Sequence, residues 1–262
     1  MHYWRLFSGY SKQYLKKLLA YRGDFFAQFF ADLMSQIMSL VLILVIFRQI
    51  PRLNGWNEGE MLFLYGFFLL PYALFNVFFS NFFEVPRRYI LQGELDRVLV
   101  RPAPSLFQVM LEQIELESAL SLVSGFLVLL YGAKTAGLDW SWWHFPVLIL
   151  TVTGGTLIYG GIFIALASLA FWFEGNIALM PTMYNISVYG RYPVTVYRGI
   201  VRFILTFILP FAFTGYFPAA LLLGKKEGLT GGILTPLVGL VVFLIGVLIW
   251  NRGIRRYTGA GN

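Results

Sequence analysis

The chain has 262 residues, 58% hydrophobic and 18% aromatic, with only 13% charged and a mean hydropathy of +0.69, values outside the soluble globular range that specify a membrane protein. The formal net charge of +7 would suggest nucleic acid in a soluble chain, but in a membrane chain Lys and Arg first report topology. Cysteine is absent, which excludes disulfides, thiolate metal sites and thiol catalysis, and His2 and His144 are too far apart in sequence to suggest a metal site.

Residues 1–24 carry Trp4, Phe7, Tyr14, Leu18 and Tyr21 at helical spacing, with Arg5, Lys12 and Lys16 on another face, the pattern of an amphipathic helix lying in the interface. No small-residue cleavage site follows the first apolar run, so it reads as a retained helix and not a signal peptide. Residues 25–47 form the first expected span, about 23 residues and hence roughly 35 Å. Asp32 lies inside it. A carboxylate at that depth costs about 2.5–3.5 kcal/mol on insertion scales, so Asp32 should face protein or water or stay near the interface, and pairing with a basic residue is favoured over a transport role.

A polar loop with Pro51, Asn54, Gly55 and Trp56 precedes the second span, 61–83, where Pro71 should introduce a kink and Asn76 can hydrogen-bond a neighbouring helix. Residues 84–104, EVPRRYILQGELDRVLVRPAP, are a charged island between apolar segments, with three acids and four arginines. Pro102 and Pro104 end this element, and Ser105 with Gln108 has the form of a capping box opening a third span, 106–131. Glu112 and Glu115 fall in its first turns on a shared face. They could form an acidic rim of a pathway, or be solvated or paired with the island's arginines; the second reading is favoured.

Trp140, Trp142 and Trp143 suit an aromatic belt, and 145–173 is a span long enough to tilt or project. Its GGTLIYGG at 154–161 is followed by no Gly-Lys-Ser/Thr, so it is no phosphate loop; Thr156 with Gly160, and Gly161 with Ala165, are small-residue pairs suited to close helix packing. Residues 174–202 read as a cytosolic segment, 203–217 as a fifth span interrupted by Pro210 and Gly215, 218–232 as a half-helix and outer loop, and 233–250 as the last span. Placing both termini in the cytosol puts 15 of the 20 Lys and Arg residues inside, a positive-inside bias. The expected fold class is therefore an all-α integral membrane protein with six spans, and the excess positive charge can face anionic lipids without nucleic acid as a partner.

The string ILQGELDRVLVRPAPSLFQ at 90–108, set in this six-span pattern with a broken segment before the last span, resembles the ABC-2 type permease family, specifically its small six-span subunits. The resemblance covers essentially the whole chain, and its most specific piece is Gln92, Gly93, Glu94, Leu95 and Asp96 followed by Leu99, Arg101 and Pro102. It implies an exporter permease in the cell membrane, with no ATPase or cofactor of its own, served by a separate ATPase subunit that binds ATP and Mg. It also implies that 84–104 is the coupling helix, with Gly93, Glu94, Asp96 and Arg97 as contacts, and that a second copy or sister permease completes the pathway. The mostly aromatic and aliphatic spans suit an amphiphilic or hydrophobic substrate. An ATP-independent transporter or channel is the alternative, and would show related halves with charge at mid-membrane; a membrane enzyme would need a convergent catalytic set, and the spans offer only Asp32 and the Glu112–Glu117 group.

Overall fold

The computed structural model describes residues 22–173 and 178–259; the amphipathic helix expected over 1–24 lies almost wholly outside them. The described chain is helical, and its one β pairing is the bridge between Leu53 and Trp56. The helices are α1 (Arg22–Gln49), α2 (Glu58–Phe79), α3 (Leu95–Leu99), α4 (Ser105–Glu112), α5 (Leu116–Ala136), α6 (His144–Ser168), α7 (Leu179–Ser187), α8 (Gly199–Phe203), α9 (Tyr216–Leu222) and α10 (Leu229–Ile254). Helical turns extend α2 to Leu91 and α6 to Phe171, and among the described residues 5 helices are long and apolar enough to cross a membrane.

Glycine spacing explains why these helices pair as they do. On α2 and α5, Gly59 meets Thr135 and Ala136, Gly66 meets Leu129, and Gly132 meets Phe63, so the two helices run antiparallel with backbones touching. On α6 and α10 the match is parallel: Gly154 lies against Gly239 and Pro236, and Gly161 against Val242 and Gly246. A Cβ at Gly66 would sit 2.3 Å from the Leu129 nitrogen, and one at Gly239 would sit 2.3 Å from the Gly154 carbonyl oxygen, well inside van der Waals contact. The glycines of GGTLIYGG therefore pack helices, as expected, but the spacing that matters is seven residues. Gly155 also receives the Pro71 ring of α2, and Gly160 the Phe79 ring.

The loop 50–57 marks one end of the bundle and the charged island the other, since α2 runs between them. An unforeseen capping box starts α2: the Glu60 amide donates to Asn57 Oδ1 and the Asn57 amide donates to Glu60 Oε2, both at 2.9 Å. From Phe171, packed on Trp250 and Tyr257 at the island end, the chain resumes in α7 and rises to Thr195. There the Asn54 side-chain amide donates to the Thr195 carbonyl at 3.0 Å. Of the stretch 174–202, expected to stay at the island end, the described residues 178–202 thus run to the loop end.

The expected fifth span, 203–217, is no continuous helix. From the loop end, α8 and a wide turn to Ile208 lead inward until Ile208, Leu209 and Pro210 lie beside Gly161, Val242 and Ile245. Here the Phe211 amide donates to the Leu209 carbonyl around Pro210, whose φ −70° and ψ 49° form an inverse γ-turn, and proline supplies no amide to continue a helix. The chain returns through α9 to the loop end, where Lys225 Nζ donates to the Gly55 carbonyl at 3.2 Å and pairs with Glu60 at 2.8 Å. Residues 199–222 are therefore a hairpin that enters and leaves at one end, its turn shielded by burial of Pro210, Phe211 and Ala212.

Two glycine replacements separate the packing argument from simple chain entropy. Gly161→Leu, whose Cβ would lie 2.5 Å from the Val242 backbone, is expected to abolish the monodisperse peak of detergent-purified protein in size-exclusion chromatography. Gly23→Leu, with nothing within 4 Å, should elute as the parent does.

Candidate functional site

The island is built outward from the end of α2. A 3-10 turn Ser80–Glu84 and a π turn Val85–Leu91 carry the chain to Gly93, whose φ of +73° reverses it into α3. Leu95 and Val98, three residues apart, are buried on the inner side of α3, while Asp96 and Arg97 face outward. Arg88 Nε donates to Glu94 at 2.8 Å, and Arg97 donates to Glu94 at 3.3 Å and to Glu112 of α4 at 2.5 Å. The Tyr89 hydroxyl donates to the other Glu112 oxygen at 2.5 Å and accepts from the buried Asn81 amide at 2.9 Å. Asn81 reaches on to the Val109 carbonyl at 2.6 Å.

Half-exposed ion pairs contribute little individually. Here they converge on Glu112, whose side chain is only 13% exposed, and their effect is to fix α3 in place on α2 and α4. Ser105 and Gln108 form no capping box, because Pro104 occupies the N-cap position and Ser105 is already inside the helix. Gln108 instead donates to the carbonyls of Val98 and Ala103 at 3.0 and 2.7 Å, and Ser105 Oγ accepts from the Trp250 indole at 3.2 Å. The island is thereby fastened to α10 as well. Its outer rim is apolar: Leu91, Leu99 and Val100 are exposed, Val100 at 86%. On the flank, burial and then the neighbouring Asp96 raise the Tyr257 phenol above its usual pKa.

A second feature lies within the bundle. Helices α1, α2, α5 and α7 enclose a cavity of about 340 Å³ with Asp32, Gln36, Tyr65, Tyr72, Asn76, Glu115, Tyr184 and Arg191 among its walls. Its polar groups cross-link the helices. Gln36 of α1 donates to Ser121 Oγ at 2.9 Å and accepts from Ser124 Oγ at 2.5 Å, the Tyr184 hydroxyl donates to Asn76 at 3.2 Å, and Arg191 donates to Ser39 Oγ at 3.0 Å. Asn76 thus bonds a neighbouring helix, as its type suggested. A smaller cavity of about 230 Å³ shares Asn76, Glu115 and Tyr184 with the first and reaches Glu84 and Gln113 at the island. The two together form a polar route from the island end towards the middle of the bundle.

A family model described as ABC-2 family transporter protein matches residues 33–261. The chain belongs to this family. It is accordingly a membrane-embedded component of an ABC transporter, a class that works with an ATPase partner. Searches of curated proteins and of solved structures returned no match.

Within this ABC-2 permease the residues singled out from the sequence separate into two groups. Gly93, Glu94, Asp96 and Arg97 sit together on the island, joined there by Glu112. Asp32 and Glu115 share the cavity. The expected common face of Glu112 and Glu115 does not exist, because the helix breaks at residues 113–115: Glu112 ends α4 and Glu115 stands at the N-terminal boundary of α5 without capping it. The third long helix therefore starts at Leu116, not at 106. Among the described residues Asp32 has no basic partner; its contact is Gln28 at 3.4 Å. Tyr89, Asn81 and Arg191 were missed, since nothing in their local sequence marks them.

The anchoring role of Glu112 is open to measurement. Glu112→Ala leaves Arg97 and the Tyr89 hydroxyl without their shared acceptor and should cost about 1–3 kcal/mol, read as a lowered thermal midpoint of the purified protein. Glu84→Ala, exposed and outside that network, should leave the midpoint unchanged.

Proposed function

We propose that this protein is the permease subunit of an ABC exporter, docked through its island to a separate ATPase subunit that binds ATP and Mg, the permease itself carrying no cofactor and no catalytic site. One observation carries the reading: the island is a small rigid body, locked through Glu112, Tyr89 and Gln108 to the helices of the bundle and presenting the exposed Leu91, Leu99 and Val100. A lever must transmit displacement without absorbing it, and a locked element does so where a free loop would not. Gly93, Glu94, Asp96 and Arg97 are its proposed contact region, with Glu94 and Arg97 also holding its shape.

The proposed membrane arrangement has six crossings, five of them the long helices and the sixth the broken run through α7 to Thr195, with hairpin 199–222 dipping in from outside. Both termini and the island then face the cytosol of the cell membrane. Twelve of the 20 Lys and Arg residues lie at the island end in this arrangement: the four of the island, Arg252, Arg255 and Arg256 of the tail, and the five up to Arg22. Arg198 and Arg202 move to the outer side, and Arg191 sits between, which keeps the positive-inside bias. Helix α1 buries only Ile43 and exposes Phe26, Phe30, Met34 and Met38, an apolar wall suited to lipid and to a second copy or sister permease that would complete the pathway for an amphiphilic substrate.

Single cysteines in this cysteine-free chain test the arrangement directly. In sealed, right-side-out vesicles Arg198→Cys should react with an impermeant maleimide, and Val100→Cys should react only after the membrane is opened; the reverse pattern would invert the topology. With the ATPase co-expressed, Val100→Cys should form a nucleotide-sensitive crosslink, and Val100→Asp should weaken ATPase co-purification at least tenfold without loss of folded permease. Unchanged co-purification would remove the island's apolar rim from the interface.

A further inference from the structure

We infer that the cavity between α1, α2, α5 and α7 is a binding site for an organic cation, bound through Asp32 and Glu115 and against the faces of Tyr72 and Tyr184. Calling that cation the cargo rests on the permease reading; its binding does not. The starting point is an imbalance of charge. Asp32 and Glu115 both line the cavity, and the groups that meet them are neutral: Gln28 at 3.4 Å from Asp32, and Ser80 and Ser118 beside Glu115, Ser118 at 3.5 Å. Among the described residues neither carboxylate forms an ion pair. Among the described residues of the wall the one guanidinium is Arg191, which donates to Ser39 of the same wall and lies over the Tyr192 ring at 5.1 Å, its Nε buried without a partner, so that two carboxylates stand against one positive charge.

Carboxylates within a membrane bundle are costly unless a positive charge or water meets them, and here the fold supplies no cation at hydrogen-bonding distance. It supplies room instead, about 340 Å³. The remaining walls decide what kind of cation fits. Tyr72 and Tyr184 stand with ring centroids 5.3 Å apart, Phe68 stacks on Tyr72 at 5.2 Å, and Tyr65 and Phe68 also line the space. Aromatic faces beside carboxylates attract alkylated or aromatic ammonium groups, whose charge is diffuse and weakly hydrated. Among the described residues no group of three or more His, Asp or Glu could hold a metal ion, which favours an organic cation over a bare one. The smaller cavity past Glu115, reaching Glu84 at the island, gives such a cation an acidic approach.

The test needs neither the ATPase nor a known substrate. Ser35→Cys puts a lone thiol on the cavity wall of purified permease, and its alkylation rate by a small maleimide is followed with phenyltrimethylammonium, or with its neutral isostere tert-butylbenzene. The expected result is saturable protection by the cation, slowing alkylation at least threefold, and none by the isostere. Combining Asp32→Asn with Glu115→Gln should raise the half-protecting concentration at least tenfold, with size-exclusion elution verifying the fold. Absence of protection by the cation, equal protection by the isostere, or protection undiminished in the carboxylate variants would each overturn the site. The isostere comparison needs no carboxylate variant, so it decides the matter even if those variants misfold. Failure of the island crosslink would count against the permease reading while leaving this binding result intact.

Discussion

Backbone contact at glycines spaced seven apart is the constraint on which the rest of this molecule depends. In a bilayer, apolar side chains gain nothing by leaving lipid for one another, so helix pairing must come from close approach and polar links. Gly59 and Gly66 on α2, Gly125 and Gly132 on α5, Gly154 and Gly161 on α6, and Gly232, Gly239, Gly246 and Gly253 on α10 all keep this period. A seven-residue repeat keeps each set on one stripe of its helix, facing the paired helix at every position but Gly232, which meets Leu221 and Phe217 of α9. Two rigid pairs result, α2 with α5 and α6 with α10, and the aromatic residues of α2 and α6 join them: Phe75 and Phe163 meet at 4.6 Å and Tyr72 and Tyr159 at 5.8 Å.

The polar chemistry occupies what those two pairs leave over. Helix α1 buries only Ile43 and reaches the core through side-chain hydrogen bonds such as Gln36 with Ser121, whereas the run through α7 is held at Gly190 against Gly215 and by Tyr184 with Asn76. The cavity opens between the lightly held α1, the run through α7 and the rigid pair α2 and α5. At the island the opposite holds: several polar connections converge on one largely buried carboxylate, Glu112, which Arg97 and Tyr89 each meet at 2.5 Å. The molecule therefore combines a stiff handle at one end with a wall that few contacts restrain, an arrangement that lets movement of the first alter the second.

Much of this could be read in the chain beforehand, for definite reasons. Long apolar runs bounded by charge placed four of the five long helices to within a few residues, since length and hydropathy alone decide them, while the third was expected to start ten residues before Leu116. The island was visible because charge is scarce in this composition. Three features escaped. The break at Gln113, Ile114 and Glu115 carries no Gly or Pro, so Glu112 and Glu115 looked like neighbours on one helix when they serve different sites. The run through α7 is short and polar enough to pass for a surface segment, and it is recognisable as a connection between the two ends only from the contact of Asn54 with Thr195. Asp32 was expected to find a basic partner; no local pattern shows that its contact is instead Gln28, four residues back on the same helix.

The hairpin at residues 199–222 bears on how the protein comes to exist. Neither of its arms is long enough to be retained as a membrane segment while the chain is being made, and its Leu209–Pro210 turn has polar groups that lipid cannot satisfy. It settles against α6 and α10, and α10 is synthesised after it. Completion of the hairpin thus waits for a later helix, and a nascent chain halted before α10 would leave the loop end of this bundle unfinished.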